Sequence, residues 1–326
     1  PIELFLQLPW RQAIVEGLLG ADLVGFHTPG AASNFLALAH RLFDHPVDAD
    51  GLDLVDHTGR ERRVTVGAFP ISIDTREYDA IARTPEAQDA ALELRRRLGN
   101  PRWVLLGVDR LDYTKGIEER LLAVERLLEI APEMRGRFVF IQLGAPSRTV
   151  IERYQQLNQD VANLVTRINE RFGTADGYQP IVFGHAHHEP PAVFRYLRAA
   201  DLCYVSSLHD GMNLVAKEFI AARDDERGVL VLSHFTGAAS ELTEALIVNP
   251  YDLEEASAAL RTALLMPPAE QKARMRAMRS LIAEFNVYRW AGHMLRDAAM
   301  VRRRSKLHGS LRQRSGPRSN PPRSRV

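Results

Sequence analysis

The sequence predicts an α/β protein built on a parallel, doubly wound sheet. Two patterns carry that prediction. Short runs of Val, Leu, Ile and Phe without polar alternation suit parallel strands covered on both faces, and amphipathic stretches of helical period lie between them. Length adds a third observation: 326 residues are more than one hydrophobic core usually holds, so two domains are expected.

In chain order, strands are expected at Asp22–Phe26, Arg63–Phe69, Trp103–Val108, Phe138–Leu143, Ile181–Phe183, Leu202–Ser206, Val229–Ser233 and Ala245–Val248. Helical patterns run over Gly30–Phe43, Arg76–Leu98, Gly116–Ile130, Thr149–Phe172, Pro191–Ala200 and Leu253–Leu265. Within Gly116–Ile130, Ile117, Leu121, Val124 and Leu128 form one apolar stripe. Strand–helix alternation of this kind is the signature of open α/β sheets. A strand runs into the extended turn Phe69-Pro70-Ile71-Ser72-Ile73-Asp74, which marks a boundary. Only two strands precede it, so residues 1–74 read as the remnant of a first Rossmann-like domain and 75–283 as a self-contained second one. Residues 284–301 are expected to form a helix packing back toward the first domain. The Arg/Ser/Pro-rich stretch 302–326 is expected to be disordered.

Composition narrows the function. No stretch approaches the ~18 apolar residues of a membrane helix, so a membrane-spanning helix is excluded. The lone Cys203 excludes an internal disulfide framework and a Cys-rich zinc site, and a cytoplasmic setting is expected. The net charge of +1 is a composite: residues 302–326 hold nine Lys/Arg and no acid, which leaves 33 basic against 41 acidic residues elsewhere. The folded part is therefore acidic, and nucleic-acid binding has only the tail to rest on. The chain opens on Pro1 rather than Met, as expected of a processed or incomplete sequence.

P-loop, dinucleotide-fingerprint, zincin and nucleophile-elbow motifs are all missing. What remains are polar residues at the carboxyl ends of expected strands, where open α/β sheets bind ligands. In Val108-Asp109-Arg110-Leu111-Asp112-Tyr113-Thr114-Lys115-Gly116, a strand runs through two cations to a helix start. That combination forms an anion site suited to a diphosphate, although Arg110 and Asp112 could instead cap the turn. In Gln142-Leu143-Gly144-Ala145-Pro146-Ser147-Arg148, the arginine opposes the helix dipole, which suggests a second anion; an exposed helix arginine is the plainer alternative. In Leu208-His209-Asp210-Gly211-Met212-Asn213-Leu214-Val215-Ala216-Lys217-Glu218, two carboxylates can accept hydrogen bonds from sugar hydroxyls, where a capped helix alone leaves Lys217 and Glu218 unexplained. The cluster His185-Ala186-His187-His188-Glu189 reads as a polar loop over a ligand site rather than a metal centre. Cys203 reads as a small buried apolar residue, and His27 as a residue at a strand end.

Several strings together resemble the trehalose-6-phosphate synthase family of retaining GT-B glucosyltransferases. They are Gly107-Val-Asp-Arg-Leu-Asp-Tyr-Thr-Lys-Gly116, Ala145-Pro-Ser-Arg148, Asp210-Gly-Met-Asn-Leu-Val-Ala-Lys-Glu218, Leu232-Ser-His-Phe-Thr-Gly-Ala-Ala239 and Val248-Asn-Pro-Tyr251. Pro1-Ile-Glu-Leu-Phe5, Leu8-Pro-Trp-Arg11, Asp22-Leu-Val-Gly-Phe-His-Thr28 and Phe69-Pro-Ile-Ser-Ile-Asp74 extend the likeness over roughly residues 1–300. The resemblance implies two Rossmann-like domains facing a cleft, the first incomplete, and α-glucosyl transfer from UDP-glucose or another NDP-glucose to glucose 6-phosphate. It implies Arg110, Lys115 and Asp210 as catalytic, with Arg110 and Lys115 on the diphosphate. It places His188 at the base, Asp210 with Gly211, Met212 and Asn213 on the glucose, and Leu214, Val215, Ala216, Lys217 and Glu218 on phosphate and ribose. Arg148 is implied as the acceptor-phosphate arginine. No cofactor or metal is implied, and a homo-oligomer without membrane or nucleic-acid partners is expected.

Three positions depart from the family pattern: His209 stands for an arginine, His234 for a glutamate and Glu170 for a glycine. The family's glycine-rich donor loop, aromatic acceptor contacts and His-Asp-Tyr-His segment would lie before Pro1, so the chain is expected to hold the donor half and to be inactive alone. Another GT-B transferase, or a non-catalytic nucleotide-sugar-binding regulatory subunit, stay open as alternatives.

Overall fold

The computed structural model describes residues 2–55, 59, 61–148, 150–175 and 177–314. They fall into two units, one drawn from the described residues between 2 and 70 and between 288 and 314, and one from those between 71 and 287.

The first unit opens with α1 (Ile2–Phe5), α2 (Arg11–Leu19), β1 (Leu23–Phe26), α3 (Pro29–Phe43), β2 (Gly51–Val55) and β3 (Glu61–Ala68). Thr28 starts α3 by accepting from the Ala31 amide, and Pro29 supplies a preset first turn. The sheet order is β1-β3-β2, parallel between β1 and β3 and antiparallel between β3 and β2. Its apolar face packs Val24, Leu52, Val64 and Val66 against Phe35, Leu36 and Ala39 of α3. The expectation of only two strands here needs correction. The edge strand β2 alternates, with Leu52 buried and Asp53 exposed, and a five-residue run broken by an aspartate falls short of the apolar pattern used to find strands.

The second unit comprises α4 (Thr75–Ala82), α5 (Pro85–Arg97), β4 (Trp103–Arg110), α6 (Ile117–Ile130), β5 (Phe138–Ala145), α7 (Glu152–Phe172), β6 (Ile181–Gly184), α8 (Pro190–Ala199), β7 (Leu202–Val205), α9 (Leu214–Ala222), β8 (Val229–Ser233), β9 (Leu246–Val248), α10 (Leu253–Leu265) and α11 (Pro268–Glu284). The single helix expected over Arg76–Leu98 is two. Thr84 accepts from the Ala87 amide and Pro85 takes the first helical position, so a new helix starts there. All six strands are parallel in the order β6-β5-β4-β7-β8-β9, that is, 3-2-1-4-5-6 within the unit. Alternate residues feed the two faces. Leu105, Phe138, Phe140, Tyr204 and Val231 enter the layer with α6, α7 and α10. Val104, Leu106, Val139, Ile141, Cys203 and Leu230 enter the layer with α8, α9 and α11. Burial on both sides explains why these strands read as unbroken apolar runs. Strand order reverses between β4 and β7, the topological switch point where such sheets bind ligands.

The chain returns to the first unit through α12 (Val287–Arg314). There the indole of Trp290 donates to the Phe69 carbonyl (3.1 Å). The tail expected to be disordered from Arg302 is helical as far as Arg314, because Arg, Lys, Leu and Gln favour helix and no proline intervenes before Pro317. Residues 315–326 lie outside the described residues.

Candidate active site at the switch point

Residues at the ends of β4 and β7 meet. After Arg110 ends β4, Asp112 caps the 3-10 turn Tyr113–Lys115 by accepting from the Thr114 amide (3.0 Å) and hydroxyl (2.9 Å). Gly116 follows at φ 60, and a side chain there would collide with the Ser206 carbonyl, so only glycine lets the loop lie this close to the end of β7. From the β7 side, the Leu208 and His209 amides donate to the Thr114 carbonyl (2.8 and 3.2 Å).

These contacts bring Lys115 and Asp210 into a 2.7 Å ion pair, with side chains 17% and 14% exposed. Asn213 Nδ2 also donates to Asp210 Oδ2 (3.1 Å), while Asn213 Oδ1 accepts from the Ala216 amide to start α9. Asn213 manages both with a backbone φ of 74, a conformation asparagine tolerates. Burial would raise the Asp210 carboxyl, but Lys115, Asn213 and the Met212 amide outweigh it and hold the group below its ordinary range. A lysine–aspartate pair beside the amino end of α9 thus offers donors to an anion and an acceptor to hydroxyls. Arg110 is exposed and makes no ion pair among the described residues. Gly211 is exposed and Met212 buried, with the Met212 carbonyl accepting from the Ala238 amide (2.8 Å).

Other expected residues distribute unevenly. Glu218 is half-buried; burial pushes its carboxyl up, and the Tyr78 hydroxyl offsets part of the rise. Lys217 points elsewhere. It is 2% exposed, and its ammonium is spent on the Ile71 carbonyl (2.9 Å) and Glu241 (2.6 Å), so only its backbone remains for a ligand. Leu214, Val215 and Ala216 form the first turn of α9. His188 Nε2 is buried without a hydrogen-bond partner among the described residues, its ring 5.9 Å from that of Tyr196. His187 faces Glu189 (3.5 Å), and among the described residues no three His, Cys, Asp or Glu side chains gather as a metal site. Arg148 lies in the loop after β5 rather than in the first turn of a helix, since α7 starts only at Glu152; its φ is 47. His209 is exposed, the His234 ring lies tilted against that of Phe235 (centroids 3.8 Å apart), and Glu170 is exposed on α7. Cys203 is buried in β7, and His27 Nδ1 lies 3.3 Å from the Phe69 carbonyl in the first unit.

A buried network behind the loop was not anticipated. Arg120 is fully buried and pairs with Asp109 (2.7 Å), whose side chain is 4% exposed. It also donates to Ser206 Oγ (2.9 Å) and Gln142 Oε1 (3.0 Å), and Ser206 Oγ donates on to the Gly116 carbonyl (2.6 Å). One guanidinium therefore fixes the ends of β4, β5 and β7. Arg120 falls on the apolar stripe at i+3 from Ile117, and a charge in that position was the available signal.

The match to known proteins covers this site. Residues 1–300 fit the family described as glycosyltransferase family 20. The chain belongs to that family. A trehalose-6-phosphate synthase of Mycobacterium sp. (strain JLS) is 48% identical over 298 residues, 89% of this chain and 61% of the relative. A solved α,α-trehalose-phosphate synthase (UDP-forming) from Burkholderia xenovorans, in complex with glucose-6-phosphate, superposes with a TM-score of 0.85 at 37% identity, covering 91% of this chain and 65% of that one. A second, from E. coli and bound with UDP-2-fluoro glucose, gives 0.84 at 35% identity, covering 91% and 64%. The expected α/β, GT-B class is that of these family members, and this member spans about 61% of the length of the curated relative.

Proposed function

We propose that the protein of which this chain is the donor-binding part transfers glucose, with retention, from UDP-glucose to glucose 6-phosphate, making trehalose 6-phosphate. The Lys115–Asp210 pair at the switch point carries the reading, because it sets a phosphate-binding cation against a hydroxyl-binding acid within one hydrogen bond. The proteins named above, one with glucose-6-phosphate and one with UDP-2-fluoro glucose, support both substrates.

In this reading the bond from glucose C1 to the diphosphate oxygen breaks, and C1 bonds to the acceptor's anomeric oxygen on the same face. The acceptor's hydroxyl proton passes to the departing diphosphate. Arg110, Lys115 and the first amides of α9 stabilise the charge growing on that diphosphate, work that elsewhere falls to a metal ion. Asp210, with Gly211, Met212 and Asn213, holds the glucose hydroxyls. Glu218 takes the ribose, His188 lies toward the base and Arg148 binds the acceptor phosphate. The Lys217 side chain has no part, being committed to Ile71 and Glu241. A reducing, cytoplasmic setting suits the one buried thiol.

Calorimetric titration of this chain with UDP tests the phosphate site. Lys115→Ala and Arg110→Ala each weaken binding at least tenfold, and in the full-length protein each lowers turnover by about 10²–10³, the usual effect of losing one such donor. Wild-type affinity in both variants rejects the assignment.

A further inference from the structure

We propose that Tyr154 is a positioning residue that ties the acceptor-phosphate arginine, Arg148, to the diphosphate loop. Arg148 Nη1 donates to the Tyr154 hydroxyl (2.6 Å), and that hydroxyl donates to Asp112 Oδ2 (3.2 Å). The direction is fixed, since a guanidinium only donates and a carboxylate only accepts. Asp112 in turn holds the turn that carries Lys115: its Oδ1 takes the Thr114 amide and hydroxyl, and its carbonyl takes the Lys115 amide (2.9 Å). One phenol therefore spans the two loops that carry the proposed anion contacts.

Two further observations show that the tie is built in. Tyr154 is 4% exposed, with the Arg148 guanidinium over its ring (5.4 Å) and the Tyr113 ring packed on it (5.8 Å). Arg148 holds a left-handed backbone (φ 47), which bulky residues rarely adopt and which needs surroundings that over-determine it. The Tyr154 hydroxyl and ring both meet its side chain.

An anion drawn to Arg148 is thereby felt at the Asp112–Gly116 loop, and a diphosphate on that loop is felt at Arg148. Linkage makes the effect reciprocal. The identity of the two anions rests on the glucosyl-transfer reading; the tie itself does not.

Tyr154→Phe keeps the ring and removes both hydrogen bonds. In the full chain, UDP and glucose 6-phosphate are each titrated alone and in the presence of the other. Wild type tightens each ligand at least threefold when the other is bound. In Tyr154→Phe that ratio falls to one, while UDP affinity measured alone stays within twofold. Without ligand, the Thr114 and Lys115 amides exchange with solvent at least fivefold faster in the variant. A variant that keeps a ratio above threefold, a wild-type ratio of one with both ligands bound, or unchanged amide exchange each overturns the proposal. Faster exchange in a chain that binds neither ligand upholds the tie and rejects the glucosyl-transfer reading instead.

Discussion

Arg120→Met tests whether the donor loop stands on its buried ion pair. The substitution keeps most of the side-chain volume and removes the charge. Asp109, 4% exposed at 2.7 Å from the guanidinium, is left without its cation, while Gln142 and Ser206 lose their donor. Breaking a buried pair from one side costs about 3–5 kcal/mol, chiefly because the remaining charge is stranded. The folded-state Asp109 carboxyl already lies above its ordinary value, since burial outweighs Arg120, and loss of Arg120 raises it further. A raised folded value means that stability is lost as pH rises through it, so the penalty is largest near pH 8 and shrinks toward acid. Urea unfolding at several pH values, followed by a probe in residues 71–287, measures this directly. Replacing the partner as well, as Asp109→Leu with Arg120→Met, recovers most of the loss, since a matched apolar pair strands no charge. A loss below about 1 kcal/mol at pH 8 refutes the reasoning, because that is the range of an ordinary surface change; so does a double variant as unstable as the single one.

Two further outcomes follow from the shifted carboxyls. Glu218 has a folded value raised by burial, so its contribution is lost as pH rises; Glu218→Gln raises the thermal midpoint at neutral pH but not at acid pH, while UDP affinity falls severalfold. A lower midpoint at neutral pH, or unchanged UDP affinity, contradicts this. Asp210 behaves oppositely, with its folded value held below the ordinary 3.8. Its stabilisation is complete above that value and lost as pH falls through the folded one, so Asp210→Asn costs about 1–3 kcal/mol at pH 7 and progressively less in strong acid. Calorimetric scans across pH decide it, and a cost independent of pH argues against the pairing with Lys115.

Most of the fold was legible because the second unit buries its strands on both sides. Each of β4, β5, β7 and β8 contributes alternate residues to two apolar layers, so each reads as a hydrophobic run without polar alternation. The misses have separate causes. β2 is a short edge strand with Asp53 facing out, and its pairing with β3 is a tertiary fact rather than a local one. The break at Thr84–Pro85 was visible as a cap followed by a first-turn proline, but the helical period on either side concealed it. Helix past Arg302 ran against a composition argument that weighs charge and proline over the whole stretch, although the prolines all lie at or beyond Pro317.

The site shows where motif reading stops. Strand ends can be placed from sequence, so Arg110, Lys115 and Asp210 were found by position, and the Lys115–Asp210 contact follows once β4 and β7 are neighbours. Side-chain direction cannot be read the same way. Lys217 and Arg120 are both cations in helices next to the ligand loops, and both turn inward. Each sits on its helix's buried stripe, Lys217 with Ile220 and Ala221, Arg120 with Ile117 and Leu121. A charge on such a stripe must find a partner, because stranding it costs several kcal/mol. For Arg120 the partner is Asp109, on the preceding strand; for Lys217 the partners are Ile71 and Glu241, far along the chain in opposite directions. Helical period could therefore have removed the Lys217 side chain from the donor contacts and flagged Arg120 as structural, even though their partners could not have been named. In this chain, a charged side chain of a motif helix is a candidate ligand contact only when it lies off that helix's buried stripe.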